Sequence, residues 1–147
     1  MCGSIVMMDG QFKREILLDH YQNPHNKGLV DDDRYHMIHN ASDSCIDDIK
    51  VQMLIEDDII KDVRFDGVGC TICFASTSIM SDLIKGKSKE EAKSIINEYK
   101  KMLNEESYDE NVLEEANAFD TLYKQANRIK CGTIGIKAME ELIDNYE

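Results

Sequence analysis

The chain has 147 residues, 42% of them apolar and 31% charged, with no long Pro/Gly/Ser-rich stretch, which suits one domain (1–147) around one core and excludes extensive disorder. Lys and Arg number 17 against 29 acids, and the formal charge of -12 repels a phosphate backbone, which argues against a nucleic-acid partner. No window approaches the roughly 20 apolar residues of a membrane span, and the opening MCGSIVMMDG lacks a basic n-region and a full apolar h-region, so the expectation is a cytoplasmic protein whose residues 1–10 form a flexible tail.

In chain order, Phe12, Ile16, Leu17 and Tyr21 fall at helical spacing and predict a short amphipathic helix, ended by Asn23-Pro24 and Gly28. Three extended segments follow: Tyr35 to Ala41, Ile49 to Ile55 and Ile59 to Phe65. The last two are joined by Glu56-Asp57-Asp58, a connection too tight for a parallel crossover, so an antiparallel meander is expected. The two-residue period of the second segment is imperfect, because Leu54 and Gln52 alternate with Val51, Met53 and Ile55. After Gly67-Val68-Gly69, the residues Ala75, Ile79, Met80, Leu83 and Ile84 trace a helical face ending near Gly86. Ser88-Lys89-Glu90-Glu91 reads as a capping box for a helix to about Leu103. Asn104 to Asp109 is a polar break, and further helices are expected over about Glu110 to Tyr123 and Cys131 to Tyr146. Strands followed by helices give an α+β fold, a small antiparallel sheet of about three strands with helices packed on one face.

Function is sought at the cysteines. Five of them in a chain expected in the cytosol are better read as metal-binding or reactive thiols than as a disulfide framework. Cys45 falls in the loop between two predicted strands, Cys70 follows the glycine turn, and Cys131 is predicted to open the last helix, with Arg128 and Lys130 beside it. At helix starts, unpaired N–H groups and the positive dipole end favour thiolate. Spacing alone leaves an inert-core reading open, since free cysteine is often buried. Asp47, two residues after Cys45 in an extended loop, projects to the same side, and three thiolates with one carboxylate complete a tetrahedral set for zinc or a partial shell for iron. Asp48 alternates to the other side and is read as solvated. Cys70 and Cys73 form a C-x-x-C pair, but the strand before it looks antiparallel and the only proline, Pro24, lies far upstream, which disfavours a thiol-disulfide redox site. Cys73 is read as a packed residue and Cys2 as part of the tail. His20, His25, His36 and His39 are each read as satisfied polar residues; a cysteine–histidine nucleophile pair stays open, though no pair is singled out.

The segments FKREILLDHYQNPHNKG, DSCIDDIKV, FDGVGCTICFASTSIMSDLIKGK and RIKCGTIGIKAMEEL, in that order, resemble the U-type iron-sulfur scaffold family, which includes SufU, IscU and the N-terminal domain of NifU. The likeness spans about residues 12 to 143. It implies that Cys45 and Asp47 stand on the family's first two ligand positions and Cys70 and Cys131 on its second and third cysteines. Ile46 replaces the usual glycine after the first cysteine, and Ser42-Asp43 stands where Asn-Pro is common. Lys130, in place of the histidine that precedes the third cysteine in IscU-like proteins, and the long interval from Cys70 to Cys131 point to the SufU branch. The resemblance implies a zinc-bound acceptor of persulfide sulfur from a pyridoxal-phosphate cysteine desulfurase. Cys45 would be the acceptor and Cys131 the alternative, and the sulfur would pass toward Fe-S recipient proteins or a downstream scaffold. Scaffolding of a transient Fe-S cluster on the same residues stays open, and so does scaffold against sulfurtransferase. The reading from a different class is a zinc-stabilised, non-catalytic interaction module.

Overall fold

The computed structural model of the chain describes residues 10–41, 47–120, 122–124 and 126–145. Its element order is α1 (Gly10–Gln22), β1 (His36–Ala41), β2 (Asp48–Glu56), β3 (Ile59–Val68), α2 (Thr71–Ile84), α3 (Lys89–Leu103), α4 (Glu110–Leu113), α5 (Ala126–Ile129) and α6 (Ile134–Asn145). The three strands form one antiparallel sheet in the order β1-β2-β3, and the fold is α+β.

The β2–β3 hairpin turns at Asp57 and Asp58, both with positive φ (55° and 64°), the condition a two-residue type I′ turn sets on its central pair. The turn pairs Glu56 with Ile59, and a one-residue register shift between Leu54 and Ile55 then sets Val51 opposite Phe65 and Met53 opposite Val63. These last four side chains, with Ile49 and Ile60, are fully buried and form the sheet's contribution to the core. The imperfect period of β2 has a tertiary cause. Gln52 and Leu54 point to the other face and are also buried, because the segment after α1 crosses that face. There Gln52 Oε1 accepts from Val30 N–H at 2.8 Å and Gln52 Nε2 donates to the Val30 carbonyl at 2.9 Å. Arg64 Nε donates to the Gly28 carbonyl at 2.8 Å and anchors the same segment.

Helix α2 is buried almost all round. Its Ala75-Ser76-Thr77-Ser78 run lets α1 and α6 approach closely; Ser76 Oγ and Thr77 Oγ1 bond back to the Cys73 carbonyl at 3.0 and 2.8 Å, while Ser78 Oγ accepts from His25 N–H at 2.8 Å. A Cβ on Gly135 of α6 would lie 2.2 Å from Thr77 Oγ1, which shows how tight that packing is. Helix α3 carries the expected capping box: Ser88 Oγ accepts from Glu91 N–H at 3.1 Å, and Glu91 Oε1 accepts from Ser88 N–H at 3.2 Å.

Three expectations are corrected. On α1 the inward residues are Ile16 and His20, whereas Phe12 and Tyr21 are exposed. His20 is buried because its ring is bonded at both nitrogens, Nδ1 to Ser78 Oγ (2.7 Å) and Nε2 to Glu115 Oε1 (2.8 Å). The bond from His20 outweighs partial burial and holds the Glu115 carboxyl below its ordinary range. The predicted helix over Glu110 to Tyr123 is one α-turn followed by 3-10 segments at Glu114–Phe119 and Leu122–Lys124. Glu114 takes a positive φ of 45° and breaks the α pattern, while Leu113, Ala116 and Phe119 still reach the core. The last helix starts at Ile134, so Cys131 lies in the turn between α5 and α6 and not on a helix start.

Candidate metal centre

Asp47 immediately precedes β2, Cys70 caps α2, and Cys131 sits between α5 and α6. The hairpin brings the first two together, since Asp48 pairs with Val68 and Ile49 with Gly67. Gly67 has φ +139°, and a Cβ there would fall 2.0 Å from the Asp48 carbonyl oxygen, so only glycine lets β3 leave the sheet at this point. Two residues on, a Cβ on Gly69 would stand 2.9 Å from Cys73 Sγ and 3.2 Å from Asp47 Oδ1. The bare backbone therefore passes between Asp47 and Cys73 and delivers Cys70 to the N-cap of α2. Asp47 Oδ1 accepts from Cys70 N–H at 2.9 Å, and Asp47 Oδ2 lies 4.0 Å from Cys70 Sγ. Helix α2 thus directs its N–H end at the centre.

The turn carrying Cys131 is closed by backbone bonds. Gly132 N–H donates to the Arg128 and Ile129 carbonyls, both at 3.1 Å, and Ile134 N–H donates to the Lys130 carbonyl at 3.1 Å. Thr133 Oγ1 adds a bond to the Ile129 carbonyl at 3.1 Å. The chain then enters α6, which packs on β1 and β2 and carries the turn to the mouth of the hairpin.

The result is one cluster: a ligand atom from each of Asp47, Cys70 and Cys131, all within 4.8 Å of one another. Asp47 is 1% exposed and Cys131 5%, whereas Cys70 is half-buried, so the cluster opens to solvent on the Cys70 side. A tetrahedral zinc with Zn–S of about 2.3 Å needs ligand atoms roughly 3.5–3.8 Å apart. The observed 4.0 Å between Cys70 Sγ and Asp47 Oδ2 is close to that spacing, and the donor set of two thiols and a carboxylate fits the ion.

Of the four residues expected at the site, the structure unites Asp47, Cys70 and Cys131; Cys45, and Cys2 with it, lies outside the described residues. Asp48 is half-exposed and paired with His39 on the opposite side. Cys73 is fully buried in the core. Among the described residues no histidine joins the cluster. His20 is committed to Ser78 and Glu115, and His25 to Asp82. Sequence reasoning missed Gly69 as the passage between Asp47 and Cys73, and Tyr99, whose hydroxyl reaches the Cys131 turn. The G-x-G spacing before Cys70 was a usable signal for the first, but nothing local marks the second.

Residues 12–132 match the NifU-like N-terminal domain family. The chain is 37% identical over 135 residues to the zinc-dependent sulfurtransferase SufU of Bacillus subtilis, covering 91% of this chain and 90% of that protein. It is 35% identical over 129 residues to the iron-sulfur cluster assembly scaffold protein IscU of Streptococcus pyogenes, covering 87% of this chain and 80% of that one. Among solved structures, a putative iron-sulfur cluster assembly scaffold protein for the SUF system from Fervidobacterium islandicum aligns with a TM-score of 0.77 at 30% identity, covering 88% of this chain and 94% of that one.

Proposed function

Because the chain belongs to the NifU-like N-terminal domain family, we propose that it is a cytoplasmic iron-sulfur cluster assembly protein that binds zinc and accepts persulfide sulfur from a pyridoxal-phosphate cysteine desulfurase. The observation that carries the reading is the convergence of Asp47, Cys70 and Cys131 from three separate parts of the chain into one half-open cluster. Cys45, two residues before Asp47, is the fourth ligand in this reading and the sulfur acceptor. The similarity to a protein named as a zinc-dependent sulfurtransferase supports zinc and sulfur transfer together.

When bound, the ion keeps its cysteine ligands deprotonated and so stores the nucleophile for exchange. The acceptor in this reading is Cys45, supported by the likeness to a zinc-dependent sulfurtransferase. The Cys45 thiolate attacks the outer sulfur of the desulfurase persulfide, the S–S bond of that persulfide breaks, and the desulfurase cysteine departs as a thiolate. The product is a persulfide on Cys45, to be passed to a downstream scaffold or Fe-S recipient protein. Building a transient Fe-S cluster on the same thiols is the scaffold form of the same reading, supported by the IscU likeness. A purely structural zinc module would favour a closed set of four Cys/His ligands. An oxygen ligand at Asp47 and partial exposure at Cys70 favour a site that opens.

Supplying cysteine and a cysteine desulfurase, then locating the added sulfur by mass spectrometry in the parent, Cys45→Ser and Cys131→Ser proteins, tests this directly. The expected result is persulfide on Cys45 in the parent and at least tenfold less in Cys45→Ser. Parental yield on the Cys45→Ser protein would move the acceptor role to Cys131.

A further inference from the structure

Tyr99, in the middle of α3, supplies no ligand atom, yet it is fully buried and its hydroxyl donates to the Gly132 carbonyl at 2.6 Å, one residue beyond Cys131. That carbonyl lies just outside the α6 ladder, whose Lys137 N–H bonds to the Thr133 carbonyl at 2.8 Å. Helix α3, which carries Tyr99, itself packs against both α2 and α6. Burial drives the phenol far above its usual range, so it stays a neutral donor at any working pH. Phe119 packs edge-on against the ring at 6.2 Å and fixes its position. Gly132 is shaped to the arrangement: a Cβ there would lie 2.7 Å from Leu122 Cδ2 and 3.3 Å from Tyr99 Oη.

We propose that Tyr99 is a positioning residue of the metal centre: its hydroxyl ties the turn carrying Cys131 to α3, which packs against the helix that Cys70 caps, and so holds in place two metal ligands that no local sequence connects. The inference rests on the metal-binding reading above. Outer residues that orient metal ligands are worth about 10- to 100-fold in affinity.

Tyr99→Phe removes one oxygen and keeps the ring packing. Three quantities are measured on the full chain: the zinc dissociation constant by competition with a chromophoric chelator, the thiolate-to-metal charge-transfer band of the cobalt(II)-loaded protein, and the melting temperature of the metal-free protein. The expected result is a dissociation constant raised about tenfold or more, an altered cobalt band, and a metal-free melting temperature close to the parent's. Gly132→Ala, which crowds the same hydroxyl, is expected to weaken zinc in the same direction and serves if Tyr99→Phe does not fold. Parental zinc affinity and an unchanged cobalt band in the folded variant, whatever its melting temperature, overturn the positioning role alone. A parent protein that binds neither zinc nor cobalt overturns the metal reading and this inference with it.

Discussion

Cys70 is the residue on which the centre turns. It is the N-cap of α2, its N–H bonds Asp47 at 2.9 Å, and its Sγ is the half-exposed member of the cluster. A serine there keeps the backbone bond but replaces a soft thiolate by a hydroxyl that does not ionise at neutral pH. Cys70→Ser is therefore expected to fold and to drop from about one equivalent of zinc to well under a third of one. Metal analysis of the two purified proteins decides it, and equal content would remove Cys70 from the ligand set.

At the scale of elements, the site depends on how β3 hands over to α2. Gly67 takes φ +139° with the Asp48 carbonyl where a Cβ would be, whereas Gly86, at the end of α2, takes φ +86° with nothing within 4 Å. Both substitutions meet the left-handed penalty of about 1–2 kcal/mol, but only Gly67→Ala adds a backbone collision beside Asp47. Gly67→Ala is expected to cost roughly 2–4 kcal/mol and to lower zinc occupancy, and Gly86→Ala to cost about 1–2 kcal/mol with occupancy unchanged. Denaturant melts paired with metal analysis separate the two. Equal loss of zinc in both would mean that the hairpin exit does not set the site.

For the whole molecule, the three candidate ligands come from before β2, from the N-cap of α2 and from the α5–α6 turn, so an ion held among them would cross-link the hairpin to the C-terminal helices. A ligand at a thousandfold over its dissociation constant adds about 4 kcal/mol, which is on the order of 10 °C for a chain of this size. Removing zinc with a chelator is expected to lower the melting temperature by about that much. Identical melts with and without the ion would reduce the site to an adventitious one.

The sequence determined the local elements because their causes are local. The capping box at Ser88 and Glu91, the Asp57-Asp58 turn and the run of small residues after Cys70 are each decided within a few positions. Asp47, Cys70 and Cys131 were legible as residue types at element ends, and the order of the segments around them supplied the family. Only the tertiary structure decided which face of α1 turns inward, because His20 finds Ser78 and Glu115 far along the chain. Burial of both faces of β2 depends on a separate segment crossing it. Cys131 joins the cluster from a turn, with no helix start beneath it, because α6 packs on the sheet. Tyr99 has no local signature at all: its partner is a carbonyl on the far side of the core, and a backbone acceptor leaves no mark in sequence.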